Sequence, residues 1–151
     1  MFLISTRISL IVCRGLVKSF KNNKKITALE LASRYNINVR ILNTSLRNLV
    51  KSGILSSQVG GSEPGFIFSR DPKSISLYEI VTVFEGESKM MCCKDVISNI
   101  KCDQEDCANC LVYGGINQNI KDLSDKLKSI SIYDHYKSCV NEKQKLDIIT
   151  E

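Results

Sequence analysis

The stretch from Thr27 to Gly53 spells two short helices separated by a turn too tight to hold anything else. Thr27, with Glu30 three residues on, makes a capping box that opens a helix over Ala28 to Tyr35. Asn36 suits the left-handed conformation of a tight turn, and Asn38 caps a further helix from Val39 to about Ser52, which Gly53 stops. Within that helix Leu42, Leu46, Leu49 and Val50 form an inward stripe. The opposite face carries Arg40, Asn43, Thr44, Arg47 and Lys51, all capable of hydrogen bonding and none acidic. Two helices joined by a three-residue turn form the helix-turn-helix arrangement, whose second helix enters the major groove of DNA.

The flanking segments complete a domain around this pair. From Ser5 to about Phe20, Ile8, Ile11, Val12, Leu16 and Phe20 recur at helical spacing, and Cys13 falls on the buried face. After Gly53, Ile54 to Val59 and Phe66 to Ser69 read as short strands around a Gly60 to Gly65 loop, a hairpin suited to a wing. Ser76 and Glu79 form a second capping box for a helix from Leu77 to about Glu85. Tyr113, Ile116, Ile120, Leu123, Leu127 and Ile130 then trace the seam of a two-heptad coiled coil, which calls for a partner helix. Gly114-Gly115 weakens its first turn and places the start near Ile116.

The expected fold class is mainly α with a small β-hairpin wing, a winged helix-turn-helix domain plus a long dimerisation helix. The boundaries are 1–85 for the DNA-binding domain, 86–110 for a cysteine-rich loop, 111–137 for the dimerisation helix and a short C-terminal helix, and 138–151 for a flexible tail.

Charge follows the same division. The chain carries +5 overall, but residues 1–51 hold ten basic residues against one acid, Glu30, a net +9. Residues 52–151 hold eleven against fifteen, a net −4. A polyanion therefore belongs at the first third. Base reading requires long side chains able to make two hydrogen bonds, which Arg40, Asn43 and Arg47 supply. Thr44 suits a phosphate or a thymine methyl, and Lys51 and Arg7 complete the expected DNA-binding set. A basic helix face can equally be a solvated surface; the capped pair of helices and the hairpin favour DNA.

Five of the seven cysteines, Cys92, Cys93, Cys102, Cys107 and Cys110, crowd into one segment of little apolar periodicity. In a reducing compartment such thiols suit a metal or redox chemistry better than structural disulfides. Three explanations stand: an iron-sulfur cluster, a zinc site, or a thiol switch. Zinc usually takes two C-x-x-C knuckles or a Cys-His pair, whereas only Cys107 to Cys110 forms a knuckle and the single histidine, His135, lies far along the chain. Cys139 is expected as a free thiol in the tail.

No apolar run reaches the roughly eighteen residues of a membrane span, and Arg7 and Arg14 interrupt the apolar opening, so neither a membrane segment nor a signal peptide is expected. A cytoplasmic protein is the resulting expectation. The Gly60 to Gly65 loop lacks the Lys and Ser/Thr of a phosphate loop and leads into a strand, and no carboxylate pair sits in an apolar frame. An enzyme is not expected. A thiol-exchange enzyme using Cys107 and Cys110, or a protein-interaction module with an incidental basic face, are the rival readings.

With these residues in place the chain resembles the Rrf2 (BadM-type) family of bacterial winged-helix transcription regulators. The resemblance rests on Ile26 to Ala32 leading into Tyr35-Asn36-Ile37, on Leu46 to Leu55, on Pro64-Gly65-Phe66, on Ser76 to Val81, and on Cys110-Leu111 before the long helix. It implies a homodimer on a palindromic operator, with long helices that cross. It also implies, in the cluster-bearing members, three loop cysteines holding a two-iron or four-iron cluster that senses iron, redox state or nitric oxide. Cys102, Cys107 and Cys110 match those positions, with Cys93, or Cys92 in its stead, as fourth ligand. The chain departs from the pattern in the close spacing of Cys107 and Cys110, in Tyr113 where some members have a histidine ligand, and in Gln58-Val59 where the wing commonly has an arginine.

Overall fold

The computed structural model describes residues 2–87, 91–104 and 106–149, with side chains described as far as residue 141. Its elements run α1 (Ile4–Lys21), α2 (Ala28–Tyr35), α3 (Val39–Lys51), β1 (Leu55–Gln58), β2 (Gly65–Phe68), α4 (Leu77–Glu85), α5 (Cys93–Val96), α6 (Tyr113–Ser129) and α7 (Ile132–Ile149). Short 3-10 turns lie at Pro72–Ser74 and Cys107–Asn109. This is the winged helix-turn-helix expected from the sequence.

Local signals set the element ends. Thr27 Oγ1 accepts from the Glu30 amide at 3.2 Å while Glu30 Oε2 accepts from the Thr27 amide at 2.9 Å. Asn36 closes α2 at φ 51°, and Asn38 Oδ1 accepts from the Arg40 amide at 2.9 Å. Ser76 and Glu79 repeat the reciprocal cap on α4. The Thr27, Asn38 and Ser76 caps satisfy amides that a helix start otherwise leaves unbonded, an effect of about 1 kcal/mol each. The core gathers Val12, Leu16 and Val17 of α1, Leu31 of α2, and Leu42, Leu46 and Leu49 of α3 around Leu55, Phe68, Ile80 and Ile132. α3 packs on α1, and α2 packs on α3.

The hairpin is antiparallel, pairing Leu55 with Phe68 and Gln58 with Gly65. Ile26, just before α2, joins it as an extra rung: its amide donates to Phe66 at 3.1 Å and its carbonyl accepts from the Phe66 amide at 2.8 Å. That rung ties the wing to the helix-turn-helix and explains Gly65. At φ +137°, a Cβ there would lie 2.7 Å from the Ile26 carbonyl carbon and oxygen. Gly65→Ala should cost about 2 kcal/mol in urea unfolding; an unchanged midpoint would mean that the rung is dispensable.

Four carboxylates at helix ends titrate below their ordinary range. Glu30 is held down by the Thr27 amide and then its hydroxyl, Glu85 by the Thr6 hydroxyl and then the Leu3 amide, and Asp134 by the Ser131 hydroxyl and amide. At Glu79 desolvation pushes upward, but hydrogen bonds from Ser76 and Arg70 outweigh it. Folded values below unfolded ones mean that this stability is present above the unfolded carboxylate pKa and disappears as pH falls through the folded values. The urea midpoint should hold from pH 7 to 5 and drop below about pH 4; a midpoint flat to pH 3 would contradict the assignment.

Three expectations need correction. The tail expected over 138–151 is helical as far as Ile149, because Ser131 and Asp134 form a reciprocal cap and the Ile132 side chain is fully buried in the core; a nucleated helix extends at little cost. Residues 150–151 lie outside the described residues. Cys139 accordingly sits half-buried on α7, its Sγ accepting from Arg14 Nη1 at 3.2 Å. α6 begins at Tyr113 rather than near Ile116, since Gly114 lets the Cys107–Asn109 turn approach: a Cβ on Gly114 would lie 2.4 Å from the Ala108 carbonyl oxygen. The loop expected over 86–110 contains α5 and that turn; positions 88–90 and 105 lie outside the described residues. No helix among the described residues is long and apolar enough to cross a membrane.

Candidate nucleic-acid interface and cysteine segment

α3 turns Leu42, Ser45, Leu46 and Leu49 inward, which leaves Arg40, Thr44, Arg47 and Lys51 exposed and Asn43 half-buried. Thr44 Oγ1 donates to the Arg40 carbonyl at 3.2 Å, so its hydroxyl proton is engaged while its methyl and oxygen lone pairs face outward. Arg7 is exposed near the start of α1, its Nε donating to the Phe2 carbonyl at 3.2 Å. The ion pairs among the described residues are Arg70 with Glu79 and Lys128 with Asp125. Among the described residues no acid pairs with the cations of α3, which suits them to phosphate and base edges.

The wing adds little charge. Val59 at its tip is 98% exposed, and Gln58 accepts a hydrogen bond from Lys25. Arg70, beyond the hairpin, is committed to Glu79 and to the Ser74 carbonyl at 2.7 Å. It braces the hairpin exit against α4, a role invisible in sequence because its partners are fixed by the fold.

The cysteines divide. Cys13 is fully buried, and burial pushes its thiol up to about 12, so it stays protonated and inert. Cys92, at the N-terminus of α5, is bonded to Cys107, which opens the turn packed on α6, with a Cα–Cα separation of 6.2 Å. Cys93 and Cys102 are exposed, and Cys110 is half-buried with its Sγ 3.5 Å from the Tyr113 amide. The expected ligand set of Cys93, Cys102, Cys107 and Cys110 is not brought together, because the Cys107 sulfur is engaged by Cys92. Among the described residues no three His, Cys, Asp or Glu side chains are grouped to hold a metal. As placed in one chain, these residues do not fit a cluster or a zinc ion. His135 is half-buried, its pKa lowered by desolvation and then by Arg14.

Residues 5–138 match the Rrf2 family model, described as iron-dependent transcriptional regulator. The chain belongs to the Rrf2 family. Rrf2 proteins are DNA-binding transcription regulators rather than enzymes. Among solved structures, the chain is similar to CymR (YrzC), the global cysteine regulator of B. subtilis, at 18% identity and TM-score 0.70, covering 91% of this chain and 97% of that one. T. potens IscR is similar at 19% identity and TM-score 0.71, covering 92% and 88%. The oxidized form of Staphylococcus aureus CymR is similar at 18% identity and TM-score 0.64, covering 90% and 95%. At these identities the likeness speaks for the Rrf2 fold. A comparison with curated protein sequences gave no match.

Proposed function

We propose that this Rrf2 chain is a homodimeric repressor that acts in the cytoplasm and reads a palindromic operator through α3, under the control of its cysteine segment. The observation that carries the DNA reading is the outward face of α3, where Arg40, Thr44, Arg47 and Lys51 are exposed and no acid among the described residues pairs with the cations. Asn43 and Arg7 are assigned to the same surface, Asn43 toward a base and Arg7 toward a phosphate. Titrating an operator duplex against salt tests this. Log affinity should fall with log salt at a slope of about −0.9 per phosphate contact; a flat response, or no binding, would favour a protein-interaction module.

The pairing of Cys92 with Cys107 supports thiol-disulfide control. Bond formation takes two electrons and two protons from the thiols and passes them to an oxidant such as a hydroperoxide. The bond ties α5 to the turn beneath α6, and α6 packs on α4, which in turn packs on α1 and α3. A change at the cysteines thereby reaches the reading helix and the spacing of two half-sites, which lie about 34 Å apart per turn of DNA. Cys92→Ser and Cys107→Ser should lock one DNA affinity and remove its response to peroxide, while wild type responds reversibly.

A second reading, an iron-sulfur centre, is favoured by the family's iron-dependent description and by the fold shared with IscR. It requires Cys107 to leave Cys92 and join Cys102, Cys110 and Cys93, or Cys92 itself. Anaerobic purification separates the readings: brown protein with iron and acid-labile sulfide favours the cluster, and colourless zinc-bearing protein favours zinc. Metal-free protein whose Cys92 and Cys107 escape alkylation after oxidation favours the disulfide.

A further inference from the structure

The C-terminal end of α1, the Pro72–Ser74 turn and the start of α7 line a half-open cleft of about 470 Å³ with an unusual charge arrangement. Three ammonium groups converge on one ring: Lys21 Nζ lies 5.0 Å, Lys73 Nζ 5.1 Å and Lys137 Nζ 6.0 Å from the Tyr133 centroid. Lys21 Nζ is also 3.5 Å from Tyr133 Oη and 5.8 Å from the Tyr136 ring. None of the three lysines makes an ion pair among the described residues. Two carboxylates lie near: Asp71 lines the cavity and accepts the Lys73 amide at 2.9 Å as the cap of the turn, and Asp134, next to Tyr133, is held down first by the Ser131 hydroxyl and amide and least by Lys137. The hydroxyl of Tyr133 accepts from Lys21, which leaves its own proton free to donate.

Cation–π contact offsets part of the mutual repulsion, yet one ring cannot neutralise three like charges held around it. A group that accepts several hydrogen bonds and carries negative charge would. Val17 and Pro72, both buried, give the cavity an apolar floor that strengthens such contacts. We propose that Lys21, Lys73, Lys137 and Tyr133 form a binding site for a phosphate-bearing small anion, separate from the DNA-reading surface. No residue of α2, α3 or the hairpin contributes to it, so a free phosphate compound suits it better than the DNA backbone. The three elements that build it also join α1 to α7, so occupancy would clamp α7 onto the domain.

The probes are inorganic phosphate and pyrophosphate, titrated calorimetrically into the full chain in phosphate-free buffer at low ionic strength. Saturable binding is expected, tighter for pyrophosphate. Lys21→Gln, Lys73→Gln and Lys137→Gln should each weaken it roughly three- to tenfold, and the triple variant should abolish it. All three lysines are exposed, so circular dichroism of the variants should match wild type. Operator affinity measured without phosphate should also be unchanged. Absence of saturable binding in folded wild type, or binding untouched by the triple variant, overturns the proposal. So does a triple variant that lowers the salt slope of operator binding while phosphate binding is absent, which would assign the lysines to the DNA backbone.

Discussion

Arg47→Ala and Arg40→Ala should each weaken operator binding by about 1 to 3 kcal/mol, or roughly five- to 150-fold, and relax sequence preference at one base pair per half-site. Both guanidinium groups extend from the outward face of α3 with no acid among the described residues to hold them, so substitution leaves the fold intact and removes a reader. Thermal unfolding should move little, because the stability of α3 comes from Leu42, Leu46 and Leu49 on its other face, all fully buried. Lys51→Ala is the internal control. As a phosphate contact it should weaken all duplexes about equally and lower the salt slope by about one contact. Equal weakening on every sequence by the arginine variants would demote them to the same class.

The second large effect concerns assembly. α6 packs on α4 but has no fully buried side chain, and its apolar seam is partly open: Tyr113, Ile120 and Leu127 are half-buried, whereas Ile116 is 39% and Leu123 51% exposed. An unpartnered stripe of this kind is stable in water only when another helix covers it. Leu123→Asp places a charge in that seam without touching the core of the winged domain. Sedimentation velocity should show a folded monomer in place of a dimer. Operator affinity should fall by at least about a hundredfold, since a monomer loses the effective concentration that the linked half-sites provide. A Leu123→Asp chain that still sediments as a dimer would place the interface elsewhere.

The reading helix was legible in sequence because its determinants are local. Thr27 with Glu30, Asn36, Asn38 and Ser76 with Glu79 act within a few residues, and all of them do in the fold what the spacing implies. Distant partners were not legible. Gly114 reads as a helix breaker until the Ala108 carbonyl is seen against it, and the partners of Arg70, Glu79 and the Ser74 carbonyl, are set only by the fold. Tyr133 and Lys21 meet across 112 positions. The cysteine segment is the clearest case: five thiols close in sequence admit many pairings, and spacing alone cannot select Cys92 with Cys107. The outward set on α3 was read correctly as a face, although Asn43 is more enclosed than the pattern implies and Thr44 spends its proton on its own helix.

Methylation interference on the operator tests the central claim most directly. If α3 lies in the major groove with Arg40 and Arg47 on guanine, methylation of guanine N7 at one or two positions per half-site should block the wild-type protein. Arg47→Ala should then become indifferent to methylation at one of those positions and remain sensitive at the other. An interference pattern identical in wild type and both arginine variants, or confined to minor-groove adenine positions, would contradict it.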